Sequence, residues 1–208
     1  MNLLLLSSSR AHNSEYLAPG LTAINETLGN IRNVLFIPFA GVRVSYDDYL
    51  SMVQNALKPL GITVQSIHQF DDPVFAVEQA QAVMVGGGNT FALLAKLYQF
   101  NLIDAIKHKV AGGMPYIGWS AGSNIAGLTI RTTNDMPIIE PPSFCALALL
   151  PFQLNPHYTD FVPEGFHGET RDMRLAEFMH LAPNTAIVGL PEGTALRLIN
   201  GQLSHEGN

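Results

Sequence analysis

Short uninterrupted apolar runs alternate with longer stretches whose apolar positions recur every three or four residues, and this repeats down the first 120 residues. Residues 3–6, 34–38, 62–64, 82–85 and 114–117 read as strands. Between them, Leu17, Leu21, Ile24 and Leu28 fall at helical spacing, as do the apolar positions of 46–57, 73–81, 89–97 and 102–110. Strands of continuous Val, Ile and Leu character separated by helices predict a parallel sheet covered on both faces. The fold class is therefore α/β: a doubly wound, mostly parallel sheet in a single domain over 1–208, with no repeat or linker to divide it.

Beyond Leu128 the texture changes. Residues 129–142 are rich in turn formers and β-branched residues. A strand is expected over 147–154, ending at Asn155-Pro156-His157. A polar loop then runs to a helix over 171–181. Residues 186–190 read as a last central strand, followed by a hairpin of 195–199 and 202–204 turned at Asn200-Gly201.

Composition narrows the class. Apolar residues make up 47% of the chain and charged ones 13%, with a formal charge of -6. No basic stripe exists to neutralise phosphates, so nucleic-acid binding is not expected. A single cysteine, Cys145, excludes an intramolecular disulfide and fits a reducing, cytoplasmic setting. Residues 3–6 are too short for a signal h-region and no run approaches membrane-spanning length, so no membrane is expected among the partners.

The strand at 114–117 runs into Gly118-Trp119-Ser120-Ala121-Gly122, a G-x-S-x-G at a strand-to-helix junction, with a helix expected over 121–128. In that setting the serine caps a tight turn with its hydroxyl pointing out of the sheet, and the Ala121 amide opens a helix as a free donor. The other reading is a glycine-rich turn with an incidental serine.

Ligands of doubly wound sheets sit beyond the carboxyl ends of the strands. Four stretches collect there: Gly86-Gly87-Gly88-Asn89, residues 118–122, Asn155-Pro156-His157 and Pro191-Glu192-Gly193. The glycine loop lacks a P-loop lysine and Rossmann spacing, so Gly88 and Asn89 are read as oxyanion donors opposite Ser120. Among seven histidines, His157 alone follows a strand and a proline, and it is the candidate base. Two carboxylates compete to orient it: Glu192 at a strand end, and Asp135 in the Thr132-Thr133-Asn134-Asp135 loop, whose alternative is a turn stabiliser.

These stretches carry a resemblance. V-G-G-G-N-T-F, Y-I-G-W-S-A-G-S-N, T-I-R-T-T-N-D-M-P-I, N-P-H-Y, G-E-T-R and G-L-P-E-G together resemble the peptidase E (α-aspartyl dipeptidase) family over nearly the whole chain. The resemblance implies a class I glutamine amidotransferase-like fold, with serine in place of that group's cysteine. It implies metal-free, cofactor-free hydrolysis of dipeptides with N-terminal aspartate in the cytoplasm. The family's serine, histidine and acidic residue fall on Ser120, His157 and Glu192, with Asp135 a rival, and a further strand region is expected after Asn208.

Selecting aspartate calls for a cation. The loop arginines Arg131 and Arg171 are the candidates, with Asn89, Thr132 and Tyr158 as neutral contacts and Asp135 as the binder of the substrate amine. Two other readings stay open: a small esterase or acyl transferase with the same triad, and an inert binding member of the fold. The partner expected is a small peptide, acting on a monomer or homodimer. No H-E-x-x-H or D-x-D cluster calls for a metal.

Overall fold

The computed structural model describes residues 1–207. Five parallel strands form the body of a seven-stranded sheet: β1 (Asn2–Leu6), β2 (Asn33–Ile37), β3 (Thr63–Ser66), β4 (Val83–Val85) and β5 (Tyr116–Trp119). The hairpin β8 (Ala195–Ile199) and β9 (Gln202–Glu206) adds to β1 antiparallel, giving the order β3-β2-β4-β5-β1-β8-β9. Asn200 and Gly201, both at positive φ, make the tight turn that matches strand twist.

Alternate residues of each strand feed two cores. Leu3, Leu5, Leu35 and Ile37 face one side, where α3 (Pro73–Gln79), α4 (Thr90–Gln99) and α5 (Leu102–Ala111) lie. Leu4, Leu6, Val34 and Phe36 face the other, against α1 (Leu21–Leu28) and α2 (Tyr46–Leu57). Burial on both faces is why these strands read as unbroken apolar runs.

Three expectations fail, each for a reason outside local sequence. The helix after Ser120, α6, spans only Ala121–Asn124, because the carbonyls of Ile125, Ala126 and Gly127 accept from Leu147, Leu149 and Ala148 instead. The apolar run 147–152 is accordingly a core-plugging loop, and the strand starts later, as β6 (Gln153–Tyr158), with His157 inside it. After α7 (Arg171–Leu181), β7 (Ile187–Pro191) pairs parallel with β6 in a separate two-stranded sheet and is not central; the place beside β1 is taken by β8. Among the described residues no helix is long and apolar enough to cross a membrane.

Candidate active site

Ser120 joins β5 to α6 with φ 53° and ψ -115°, a conformation a β-carbon resists. It is held there by crowding. A β-carbon on Gly118 would lie 2.4 Å from the Gly122 carbonyl oxygen, and one on Gly122 would lie 2.1 Å from that of Val85. Only glycine on both sides lets strand and helix approach so closely. The Ser120 amide is tied to the end of β1 through the Leu6 carbonyl at 3.2 Å.

The hydroxyl Oγ of Ser120 lies 2.9 Å from Nε2 of His157, and Nδ1 of that ring lies 2.8 Å from Oε1 of Glu192. The ring reaches both because β6 bulges at this point. His157 has φ 56°, and the β6–β7 register shifts between Pro156 and Tyr158. Glu192 stands in a turn closed by the Thr194 amide on the Pro191 carbonyl at 3.1 Å, with Gly193 supplying the positive φ.

One buried hydroxyl fixes both. Ser7 Oγ donates to the Leu190 carbonyl at 2.7 Å and accepts the His157 backbone N–H at 2.9 Å, while its own N–H reaches the Thr194 carbonyl. Ser7 was not anticipated from sequence. Its position just past the end of β1 is the signal that could have marked it.

Asp135 is not the group that faces the imidazole. Its Oδ2 accepts from the Thr90 backbone N–H at 2.7 Å, the Thr90 hydroxyl at 2.5 Å and the Thr133 hydroxyl at 3.1 Å, pinning its loop to the start of α4. Its Oδ1 has no hydrogen-bond partner among the described residues. The side chain borders a recess of about 20 Å³ shared with Ser120 and His157.

For an oxyanion, the backbone N–H groups of Gly88 and Ala121 have no acceptor among the described residues, and Gly87 packs against Ser120. Asn89 departs from expectation. Its N–H is spent on the Ala40 carbonyl at 2.8 Å, its Oδ1 caps α4 at Ala92, and its Nδ2 donates to the Met136 carbonyl. Thr132 is also structural: it is buried, and its hydroxyl donates to the Leu154 carbonyl.

The two expected arginines separate. Arg131 is exposed, its guanidinium 5.9 Å from the Phe144 ring centroid, and it does not border the cavity. Arg171 does not border the cavity either. It is half-buried and has no carboxylate partner among the described residues, and burial, with Arg174 nearby, holds its pKa below the ordinary arginine value. It stands beside Asp172, whose Oδ1 accepts the Tyr158 hydroxyl at 2.8 Å; that bond, more than burial, raises the tyrosine. Tyr158 thus links the His157 strand to the start of α7 and lies outside the cavity lining.

Ser120 and His157 open into a cavity of about 840 Å³. The loop 39–45, which follows β2, forms one wall and contributes Arg43. Tyr16, Met52 and Trp119 make much of the remainder apolar.

A histidine bridging a strained elbow serine and a carboxylate is an arrangement for acyl transfer. Comparison with known proteins agrees. The model of peptidase family S51 matches residues 3–205. The chain is 53% identical over 208 residues to a peptidase E of Shewanella denitrificans, covering all of this chain and 88% of that protein. It is 54% identical over 193 residues to one of Shewanella amazonensis, covering 93% and 82%. Among solved structures, a protein of Listeria monocytogenes EGD-e provisionally named peptidase E superposes with a TM-score of 0.73 at 23% identity, over 100% of this chain and 98% of that one. A peptidase from an acI-B1 Actinobacterium gives 0.67 at 19%, over 100% and 87%. These two similarities establish the fold, a mostly parallel α/β sheet of the class I glutamine amidotransferase-like type. With a family match over nearly its whole length and relatives just over half identical, the chain belongs to peptidase family S51 and is a peptidase.

Proposed function

We propose that the chain is a cytoplasmic serine dipeptidase that releases N-terminal aspartate from Asp-Xaa dipeptides through an acyl-enzyme. The observation that carries the reading is the continuous relay Ser120 Oγ, His157 Nε2, His157 Nδ1, Glu192 Oε1, with both contacts under 3 Å. In this reading Ser120 Oγ attacks the peptide carbonyl carbon while His157 Nε2 takes the hydroxyl proton. The tetrahedral oxyanion is held by the N–H groups of Gly88 and Ala121. Collapse breaks the C–N bond, and His157 returns the proton to the leaving amine. Water, deprotonated by the same imidazole, then hydrolyses the ester. Glu192 keeps the ring in the tautomer that presents Nε2 as a base and stabilises the imidazolium.

Two further assignments belong to this proposal. Asp135 Oδ1, unpartnered beside Ser120 and His157, receives the ammonium of the substrate N-terminus. Arg171, reaching toward the site from the start of α7 outside the cavity lining, selects aspartate, supported by its half-buried side chain without a carboxylate partner and by the Tyr158–Asp172 link that ties it to the His157 strand. The whole of 1–208 acts as one domain, as a monomer or homodimer, on a small peptide.

Side-by-side hydrolysis of Asp-Leu and Asn-Leu by wild-type protein and Arg171→Met tests the assignment. A carboxylate buried without a cation would cost several kcal/mol. We therefore expect Arg171→Met to lower kcat/KM on Asp-Leu by about 10²-fold and to change Asn-Leu little. Equal losses on both would make Arg171 a loop brace.

A further inference from the structure

Arg43 borders the cavity that also holds Ser120 and His157, and it is the only arginine or lysine among the residues lining it. It forms no ion pair or hydrogen bond with any described residue, so its charge is not committed within the chain. Its loop is nonetheless firmly placed. The Ala40 carbonyl accepts the Asn89 N–H at 2.8 Å, a β-carbon on Gly88 would lie 2.1 Å from that oxygen, and Gly41 N–H closes a turn on the Pro38 carbonyl. The root of Arg43 is thereby locked to the glycine loop that faces the nucleophile.

Position decides which substrate group it serves. Asp135 lines both the cavity and the small recess it shares with Ser120 and His157, whereas Arg43 lines the cavity alone and does not border that recess. The ammonium of a dipeptide sits on the same residue as the scissile carbonyl, close to the serine. The carboxylate at the other end of a dipeptide lies a full residue beyond it, on the leaving side. Val42, Val44 and Met52 line the same cavity, so the exposed guanidinium stands beside apolar side chains that offer it no competing acceptor.

We infer that Arg43 binds the free α-carboxylate of the leaving residue and so restricts the enzyme to dipeptides. This rests on the dipeptidase reading above. An arginine fork matches a carboxylate with two parallel N–H donors, and neither a peptide amide nor a carboxamide presents that acceptor pair. A bond made equally in ground and transition states appears in KM, not in kcat.

The test compares Asp-Leu, Asp-Leu amide and Asn-Leu with wild-type protein, Arg43→Met and Arg43→Lys. Wild type should prefer Asp-Leu over its amide by about tenfold or more. Arg43→Met should raise KM for Asp-Leu by about tenfold, leave kcat and the amide nearly unchanged, and bring the acid-to-amide ratio close to one. Arg43→Lys should restore part of that ratio. An unchanged ratio overturns the inference, as do equal losses on acid and amide. A collapse of the Asp-to-Asn ratio alone would move Arg43 to the aspartate side chain and also overturn it. Absence of Asp-Leu hydrolysis by wild type would instead remove the dipeptidase reading itself.

Discussion

At the scale of single residues, the two carboxylates near His157 are told apart by what else they hold. Glu192 is exposed for 60% of its side chain and faces the imidazole. Asp135 has one oxygen saturated by Thr90 and Thr133. Solvent screens the Glu192 contact, so its removal should cost less than loss of the buried aspartate in a trypsin-like triad, where the effect is about 10⁴-fold. We expect Glu192→Gln to lower kcat by roughly 10–100-fold with KM little changed. Asp135→Asn should mainly raise KM for a free-amine dipeptide. Steady-state kinetics on both variants check this, and a larger kcat loss in Asp135→Asn would reverse the assignment. Sequence pattern marked Ser120, His157 and Glu192 because each follows a strand in a turn. It could not show that Asn89 and Thr132 spend their polar groups internally, since those partners, Ala40, Met136 and Leu154, come from distant parts of the chain. Arg43 and Ser7 were missed although each also follows a strand end, after β2 and β1.

At the scale of elements, periodicity located α2, α5 and the β8–β9 hairpin closely, because each is specified by its own residues. It misplaced α6 and β6, whose limits are set by hydrogen bonds between 125–127 and 147–149. It also put β7 into the central sheet, where burial alone cannot distinguish a neighbour of β1 from a neighbour of β6. The most exacting contact between elements is that of β4 with the serine elbow at Gly122. A methyl there would lie 2.1 Å from the Val85 oxygen, and backbone cannot rotate away as a side chain can. Gly122→Ala should therefore lower stability by about 3 kcal/mol or more and distort the nucleophile. Thermal unfolding and activity together measure it. By contrast Gly112→Ala, at the end of α5 with neighbours no nearer than 3.3 Å, should stay within about 1 kcal/mol of wild type.

At the scale of the whole molecule, loops from the carboxyl ends of β1, β2, β4 and β5 converge with the β6 bulge on one cavity. The net charge of -6 is no obstacle to an anionic substrate, because Arg43 puts a positive charge in the lining of that cavity and salt screens the more distant carboxylates. The account stands or falls on Ser120 being an activated nucleophile. The direct measurement is treatment of native protein with a fluorophosphonate, followed by mass analysis of the intact chain and its peptides. One adduct per chain on the peptide carrying Ser120, lost in Ser120→Ala and greatly slowed in His157→Ala, is the predicted result. No adduct on folded protein, or an adduct at another residue that persists in Ser120→Ala, would contradict the serine mechanism.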